Sequence, residues 1–165
     1  VCSTSLPQLV IPEIMSHENY NGHLLSRTEQ LKLRAQQLQQ SLKNTAGLIP
    51  NRSDGSLFGM LIMDQNCFSK VNLPPIDNKY FRLLEPHLKN ASLDRMFTYY
   101  LLASTGICAV PLSSFHTHWQ GIRLTLLEQN ESNFLWMCKK IQQAYERFYR
   151  YNIKPKYSKL ESIGK

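Results

Sequence analysis

Hydrophobic residues recur every three to four positions in a long segment close to the N-terminus. Within residues 22–44, the apolar stripe consists of Leu24, Leu31, Ala35, Leu38 and Leu42. Such a repeat places the side chains on one face of an α-helix, and Gly47 followed by Pro50 favours its termination. A shorter helix is predicted from Ser5 through Met15, because proline is tolerated in a first helical turn.

The same periodicity returns near the C-terminus, where residues 132–151 are predicted to form the last helix. One face of that helix consists of Phe134, Cys138, Ile141, Tyr145 and Phe148. Two further helices are predicted over residues 79–85 and 92–104. Ser92 suits the N-cap of the second, and Gly106 stands where a C-terminal glycine belongs.

Three short apolar runs, residues 57–63, 107–110 and 122–127, predict buried strands because they are too short for helices. Pro111 ends the second run, so residues 111–121 are predicted to form a loop. When the short helix at residues 79–85 is left out, the order of predicted elements is helix, helix, strand, helix, strand, strand, helix. This order predicts an α+β fold, with a small, mostly antiparallel sheet covered by helices and preceded by a long connecting helix.

Composition narrows the class of protein further. The chain has 165 residues, of which 42% are hydrophobic and 10% aromatic, so it is not a disordered chain. No apolar run approaches the roughly 20 residues needed to cross a bilayer, and no membrane partner is expected. The start lacks both Met and a secretory signal, which suggests a piece of a longer protein. The four cysteines have no CxxC spacing, so reduced thiols and a cytoplasmic location are expected.

A net charge of +7 permits anionic partners but does not choose between them. The C-terminal residues 147–159 mix basic and aromatic side chains, as single-strand binders do, yet no RNP, KH or helix-turn-helix pattern accompanies them. His116 and His118 could belong to a metal site, but no third ligand has matching spacing. Ser113 beside His116 has no GxSxG motif that would indicate a hydrolase. Loop residues are the simpler interpretation for both pairs.

Arg123 is the most informative charged residue. It stands in the middle of the apolar run 122–127, where a cation is costly unless an anion meets it. Its planar guanidinium suits two-point recognition of a carboxylate. The alternative is an arginine on the solvent face of an alternating strand. Residues alone leave both interpretations open.

Three segments together resemble the C-terminal part of the fold-type I, class I/II pyridoxal-phosphate aminotransferases, and most closely the alanine aminotransferase branch. They read MFTYYLL at 96–102, TGICAVP at 105–111 and GIRLTLL at 121–127. In that branch a helix precedes TGI-C-VVPGSGF, and FRMTIL follows the loop. The GSLF of residues 55–58 more weakly resembles the QGAMY strand entry. The resemblance spans nearly the whole chain.

The resemblance implies a role for each matching position. The arginine at the position of Arg123 grips the α-carboxylate of the amino acid and 2-oxo acid substrates. Gly55, Ser113 and Phe115 are candidate substrate-loop residues. Pyridoxal 5'-phosphate would be bound by a large domain that is absent here, and that domain would also supply the Schiff-base lysine. Lys70 follows the strand predicted at 57–63, which is the wrong part of the fold for the cofactor lysine. The isolated chain would therefore be inactive.

These implications define the expected parent protein. The expected domains are connecting helices at 1–46, an aminotransferase C-terminal small domain at 47–153 and a basic tail at 154–165. The parent would be a homodimer that transfers an amino group. The large domain of the parent would be the partner of this chain, and no nucleic-acid partner is expected. The chain departs from the branch at Leu112 and Ser114, where the branch has glycine. Two alternatives stay open: a non-catalytic partner-binding module and a basic nucleic-acid-binding domain.

Overall fold

The computed structural model describes residues 4–53, 56–69 and 71–154. Within these residues there are five helices and four strands. The helices are α1 Ser5–Ser16, α2 Tyr20–Leu42, α3 Asn78–Leu88, α4 Leu93–Thr105 and α5 Glu131–Asn152. The strands are β1 Leu48–Pro50, β2 Phe58–Met63, β3 Val110–Pro111 and β4 Gly121–Thr125, and short 3₁₀ turns occupy Gln65–Cys67 and Leu112–Phe115. The predicted α+β class is confirmed.

The four described strands form one antiparallel sheet in the order β1-β2-β4-β3. Two details correct the predictions. The strand expected at 107–110 is reduced to Val110–Pro111, and β1 was not predicted at all. The Gly47 and Pro50 signals that end α2 conceal β1, a three-residue strand at the edge of the sheet. An edge position tolerates Pro50 because proline has no N–H to donate to a neighbouring strand.

The inner face of the sheet, formed by Leu61, Met63, Ile122 and Leu124, packs into the core. The predicted stripe of α5 is confirmed, because Phe134, Cys138, Ile141, Tyr145 and Phe148 are all fully buried. Leu38 and Leu42 of α2 and Phe97 of α4 complete this core. The phenyl ring of Phe97 meets the rings of Tyr145 and Phe148 at 5.4 and 5.3 Å between centroids. Aromatic side chains therefore hold α4 and α5 together.

The outer face of the sheet, formed by Ile49, Phe58, Met60, Val110 and Arg123, is different. The alternation of a strand directs these side chains away from the core. All four apolar members are exposed, from 37% for Met60 to 54% for Ile49. An apolar face of this kind, left open by the described helices, is typical of a surface that another element or a ligand covers.

Gly121 permits β4 to lie against β2. A Cβ atom at that position would stand 2.2 Å from the carbonyl oxygen of Leu61, a backbone atom that cannot move aside. Gly121 thus serves the close approach of two backbones rather than a turn. Because Gly121 is only two residues before Arg123, this approach fixes the strand that carries the arginine.

A buried arginine ties α2 to the segment that follows β4. Arg34 is 8% exposed, and its guanidinium donates to the carbonyl oxygens of Glu128 and Gln129 at 3.2 and 3.0 Å. It also lies over the ring of Phe134 at 5.2 Å from the ring centroid. Both ends of β4 are thereby held, at Gly121 by the neighbouring strand and beyond Thr125 by α2.

Candidate functional site

Arg123 occupies the central position of β4 and is half-buried. It pairs with Met60 of β2 on one side and with Val110 of β3 on the other. Its neighbours Ile122 and Leu124 are buried on the inner face, so Arg123 projects from the outer face. β4 is therefore an alternating strand, and Arg123 lies among apolar outer-face residues of the neighbouring strands.

The guanidinium carbon of Arg123 lies over two phenyl rings. Its distance to the ring centroid is 4.3 Å for Phe58 and 4.1 Å for Phe115. A cation over an aromatic face is attracted by the ring quadrupole, by about 0.5–1 kcal/mol per contact at exposed sites. The rings restrain the side chain without consuming its N–H donors. The arginine is thus oriented and still able to donate.

Across residues 4–53, 56–69 and 71–154, the guanidinium of Arg123 has no hydrogen bond and no carboxylate partner. The four strands contain no Asp or Glu that could neutralise it from within the sheet. Its surroundings on the outer face are Phe58, Met60 and Val110, which lower the local dielectric and strengthen any interaction with an anion. The arrangement is therefore suited to bind a carboxylate through two parallel N–H···O bonds.

The structure treats the predicted site residues differently. Phe115 lies against Arg123, so these two are brought together. Ser113 is half-buried, and its N–H and hydroxyl both donate to the carboxylate of Asp94, at 2.7 and 3.0 Å. Gly55 lies outside the described residues, as do Lys70 and residues 155–165 of the basic tail. The roles given to Arg123, Gly55, Ser113 and Phe115 stay predictions.

Sequence reasoning missed Phe58 and Met60 as site residues. Phe58 contacts the guanidinium directly, and Met60 is the cross-strand partner of Arg123. The signal that could have found them is the pairing of β2 with β4. Once the two strands are placed side by side, alternate residues of β2 fall on the same face as Arg123.

The loop after β3 accommodates the loss of both glycines. Among the described residues other than glycine, only Asn90 and His116 have positive φ, so Leu112 and Ser114 need no glycine-like conformation. Leu112 instead buries its side chain, at 4% exposed. His116, with φ 55°, adopts the left-handed conformation that ends the Leu112–Phe115 turn. This backbone reversal directly follows Phe115.

Burial distinguishes the aromatic side chains of the basic C-terminal segment. Phe148 and Tyr149 belong to the core, whereas Tyr151 is 54% exposed. In the described part of the chain, no three His, Cys, Asp or Glu side chains are grouped so as to hold a metal ion.

The described cysteines are free, and two of them are buried. Burial raises the pKa of Cys67, and it raises the pKa of Cys138 to about 11. Neither thiol is therefore activated as a nucleophile. Cys108 is exposed. None of the described helices is both long and apolar enough to cross a bilayer.

Comparison with known proteins gives two relatives. An "uncharacterized aminotransferase" of Methanocaldococcus jannaschii is 38% identical over 149 residues, which cover 90% of this chain and 34% of that protein. A "probable alanine aminotransferase, mitochondrial" of Dictyostelium discoideum is 27% identical over 159 residues, or 90% of this chain and 27% of that protein. No protein-family model matches the chain. The chain thus spans about a third or less of the length of these relatives.

Proposed function

We propose that this chain is the substrate-clamping C-terminal small domain of an aminotransferase. The premise is its homology to a segment of the aminotransferases, which the resemblance predicted. The parent would transfer an amino group between an amino acid and a 2-oxo acid. One observation carries the proposal. On the outer face of a small sheet, the guanidinium of Arg123 lies over two phenyl rings and has no carboxylate partner among the described residues.

The chemistry of the two substrates explains why one arginine serves both. An amino acid and a 2-oxo acid differ at the α-carbon, yet both carry a carboxylate beside it. A cation that binds this shared group fixes the α-carbon in the same place for both halves of the reaction. The phenyl rings of Phe58 and Phe115 lie against the guanidinium carbon, and its N–H donors stay available for the substrate.

The sheet and the turn around Arg123 do not themselves fit pyridoxal 5'-phosphate. The cofactor requires a lysine for its Schiff base, and β1, β2, β3, β4 and the Leu112–Phe115 turn contain none. The proposed parent therefore holds the cofactor in a large domain outside this chain, and the chain alone is inactive. When bound, the cofactor would supply the electron sink for transamination. This chain would contribute carboxylate binding and orientation.

The surface of α1 is suited to pack against that large domain. None of its residues is buried, although Leu6, Leu9, Ile11, Ile14 and Met15 are apolar. An isolated helix of 12 residues is marginal in water and needs a partner for its apolar side chains. We place the connecting helices at 1–46, the small domain at 47–153 and the basic tail at 154–165.

The assembly and location of the parent are further parts of the proposal. The parent would form a homodimer through its large domain, and a cytoplasmic location is expected. The second relative carries "mitochondrial" in its name, so location is a property to measure on the full-length protein. The alternative of a non-catalytic binding module predicts a full-length protein that has no lysine able to bind the cofactor.

The test is to replace Arg123 with Lys in the full-length protein. Lysine keeps the charge but loses the planar fork, so kcat/KM for both the amino acid and the 2-oxo acid should fall about 10- to 100-fold, or roughly 1.4–2.7 kcal/mol. Arg150→Lys is the matched control, because Arg150 is exposed on α5 and pairs only weakly with Glu146 at 3.8 Å. Equal kinetics for Arg123→Lys and the control would refute the role of Arg123.

A further inference from the structure

Asp94 is a fully buried carboxylate in the first turn of α4. No lysine or arginine side chain among the described residues pairs with it. Its charge is met by hydrogen-bond donors instead: the hydroxyl of Ser92 at 2.5 Å, the N–H of Arg95 at 2.8 Å, and the N–H and hydroxyl of Ser113 at 2.7 and 3.0 Å. The positive end of the α4 dipole adds to this stabilisation. These four donors offset the cost of burying the carboxylate, and two of them come from Ser113, outside the helix.

The bonds of Asp94 join α4 to both ends of the loop that carries Phe115. At one end, the carboxylate holds Ser113, which belongs to the same 3₁₀ turn as Phe115. At the other end, the backbone N–H of Asp94 donates to the side-chain oxygen of Gln120 at 3.3 Å. Gln120 immediately precedes β4, and its carbonyl oxygen accepts from the N–H of Met63 at 2.8 Å. One residue therefore closes the loop between its two ends.

We propose that Asp94 is a positioning residue for the carboxylate site: it sets the ring of Phe115 over the guanidinium of Arg123. The inference rests on the proposed function, since it assigns a consequence for substrate binding. Asp94 has no access to the substrate and acts through the Leu112–Phe115 turn. Loss of its charge releases that turn, and the ring of Phe115 then no longer restrains the guanidinium.

The kinetic test uses the full-length protein and the variant Asp94→Asn. An asparagine is nearly the same size but turns one acceptor into a donor, which opposes the N–H and hydroxyl of Ser113. The KM for both the amino acid and the 2-oxo acid should rise about tenfold, below the roughly hundredfold that a 1 Å displacement can cost. Asp77→Asn is the matched control, because Asp77 is an acidic residue at the start of another helix, where it accepts from the N–H of Lys79 at 2.9 Å as the N-cap of α3. It should leave KM unchanged.

A double-mutant cycle separates positioning from general stability. Phe115→Leu should raise KM by a similar factor, and adding Asp94→Asn to it should raise KM no further, because both changes remove the same restraint. Factors that multiply would overturn the inference, as would an unchanged KM for a folded Asp94→Asn protein. If Asp94→Asn does not fold, Ser113→Ala removes one of the same hydrogen bonds. Adding Ser113→Ala to Phe115→Leu should then raise KM no further than Phe115→Leu alone.

A readout that does not depend on activity distinguishes this inference from the proposed function. The two rings should shift the NMR signal of the Arg123 Nε–H upfield, and Asp94→Asn should remove the part due to Phe115. If Arg123→Lys leaves kinetics unchanged, the proposed function fails. If Arg123→Lys raises KM while Asp94→Asn changes neither KM nor the NMR signal, the inference alone fails.

Discussion

The two faces of the small sheet both carry apolar side chains, but only the inner face is buried. On the inner face, Leu61 and Ile122 are almost completely buried in the core. On the outer face, Phe58 and Met60 remain more than one-third exposed beside a charged arginine. The inner face shows what the fold requires. The outer face keeps apolar and charged groups that the described fold does not use, which is typical of a binding surface.

A second comparison, between α1 and α5, points the same way. Both helices are rich in apolar residues, but α5 buries eight residues of its face and α1 buries none. Only the face of α5 is matched by the stripes of α2 and α4 within the chain. The apolar residues of α1 and of the outer face are thus two exposed apolar surfaces among the described residues, and under the proposed function they would contact the rest of the parent enzyme.

The largest expected effect contrasts one phenylalanine from the core with one from the outer face. Phe148→Ala removes a fully buried ring that contacts Phe97 and should lower the free energy of unfolding by about 3–5 kcal/mol. Phe58→Ala, on the outer face, should cost about 1 kcal/mol or less. Urea unfolding of both variants measures the difference. Similar losses for the two would mean that the outer face is part of the core.

A smaller effect concerns pH and the core alone. Burial raises the pKa of Cys138 from 9.0 to about 11, so the unfolded chain ionises this thiol before the folded chain does. The stabilisation is complete below pH 9 and is lost as pH rises towards 11. Near pH 10 this one group should lower the free energy of unfolding by about 1.4 kcal/mol relative to pH 8.

The control for this pH effect is the variant Cys138→Ala, measured by urea unfolding at pH 8 and pH 10. The loss of stability of Cys138→Ala between the two pH values should be smaller than that of the unsubstituted protein. Cys108→Ala removes an exposed thiol and should leave the pH dependence unchanged. Identical pH dependence in the parent sequence and in Cys138→Ala would contradict the expected shift.

Local sequence patterns were sufficient to predict the helices that form the core. The stripe of α5 follows a 3.6-residue repeat, and Gly106, with φ 76°, ends α4 as its position predicts. The short edge strand β1 escaped prediction because it directly follows Gly47 and ends at Pro50, and both residues are signals that end a helix. The strength of a local repeat, rather than the importance of an element, determines what a sequence reveals.

The site could be predicted only in part. Arg123 stands out as a cation in an apolar run, and Phe115 was suggested by family resemblance. Phe58 and Asp94 were missed because their partners are distant in sequence: Phe58 meets Arg123 through the β2–β4 pairing, and Asp94 meets Ser113 19 residues away. Contacts of this kind depend on the register of the folded chain, which no local pattern encodes.

The most direct test of the central claim compares a carboxylate ligand with its neutral counterpart. In the full-length protein, the affinity of a competitive inhibitor with an α-carboxylate is measured beside that of its primary amide, before and after Arg123→Gln. The account predicts that the substitution weakens the carboxylate about 100-fold and the amide less than about twofold, because only the carboxylate forms the charged two-point contact. Equal losses for both inhibitors, or no loss for either, would contradict it.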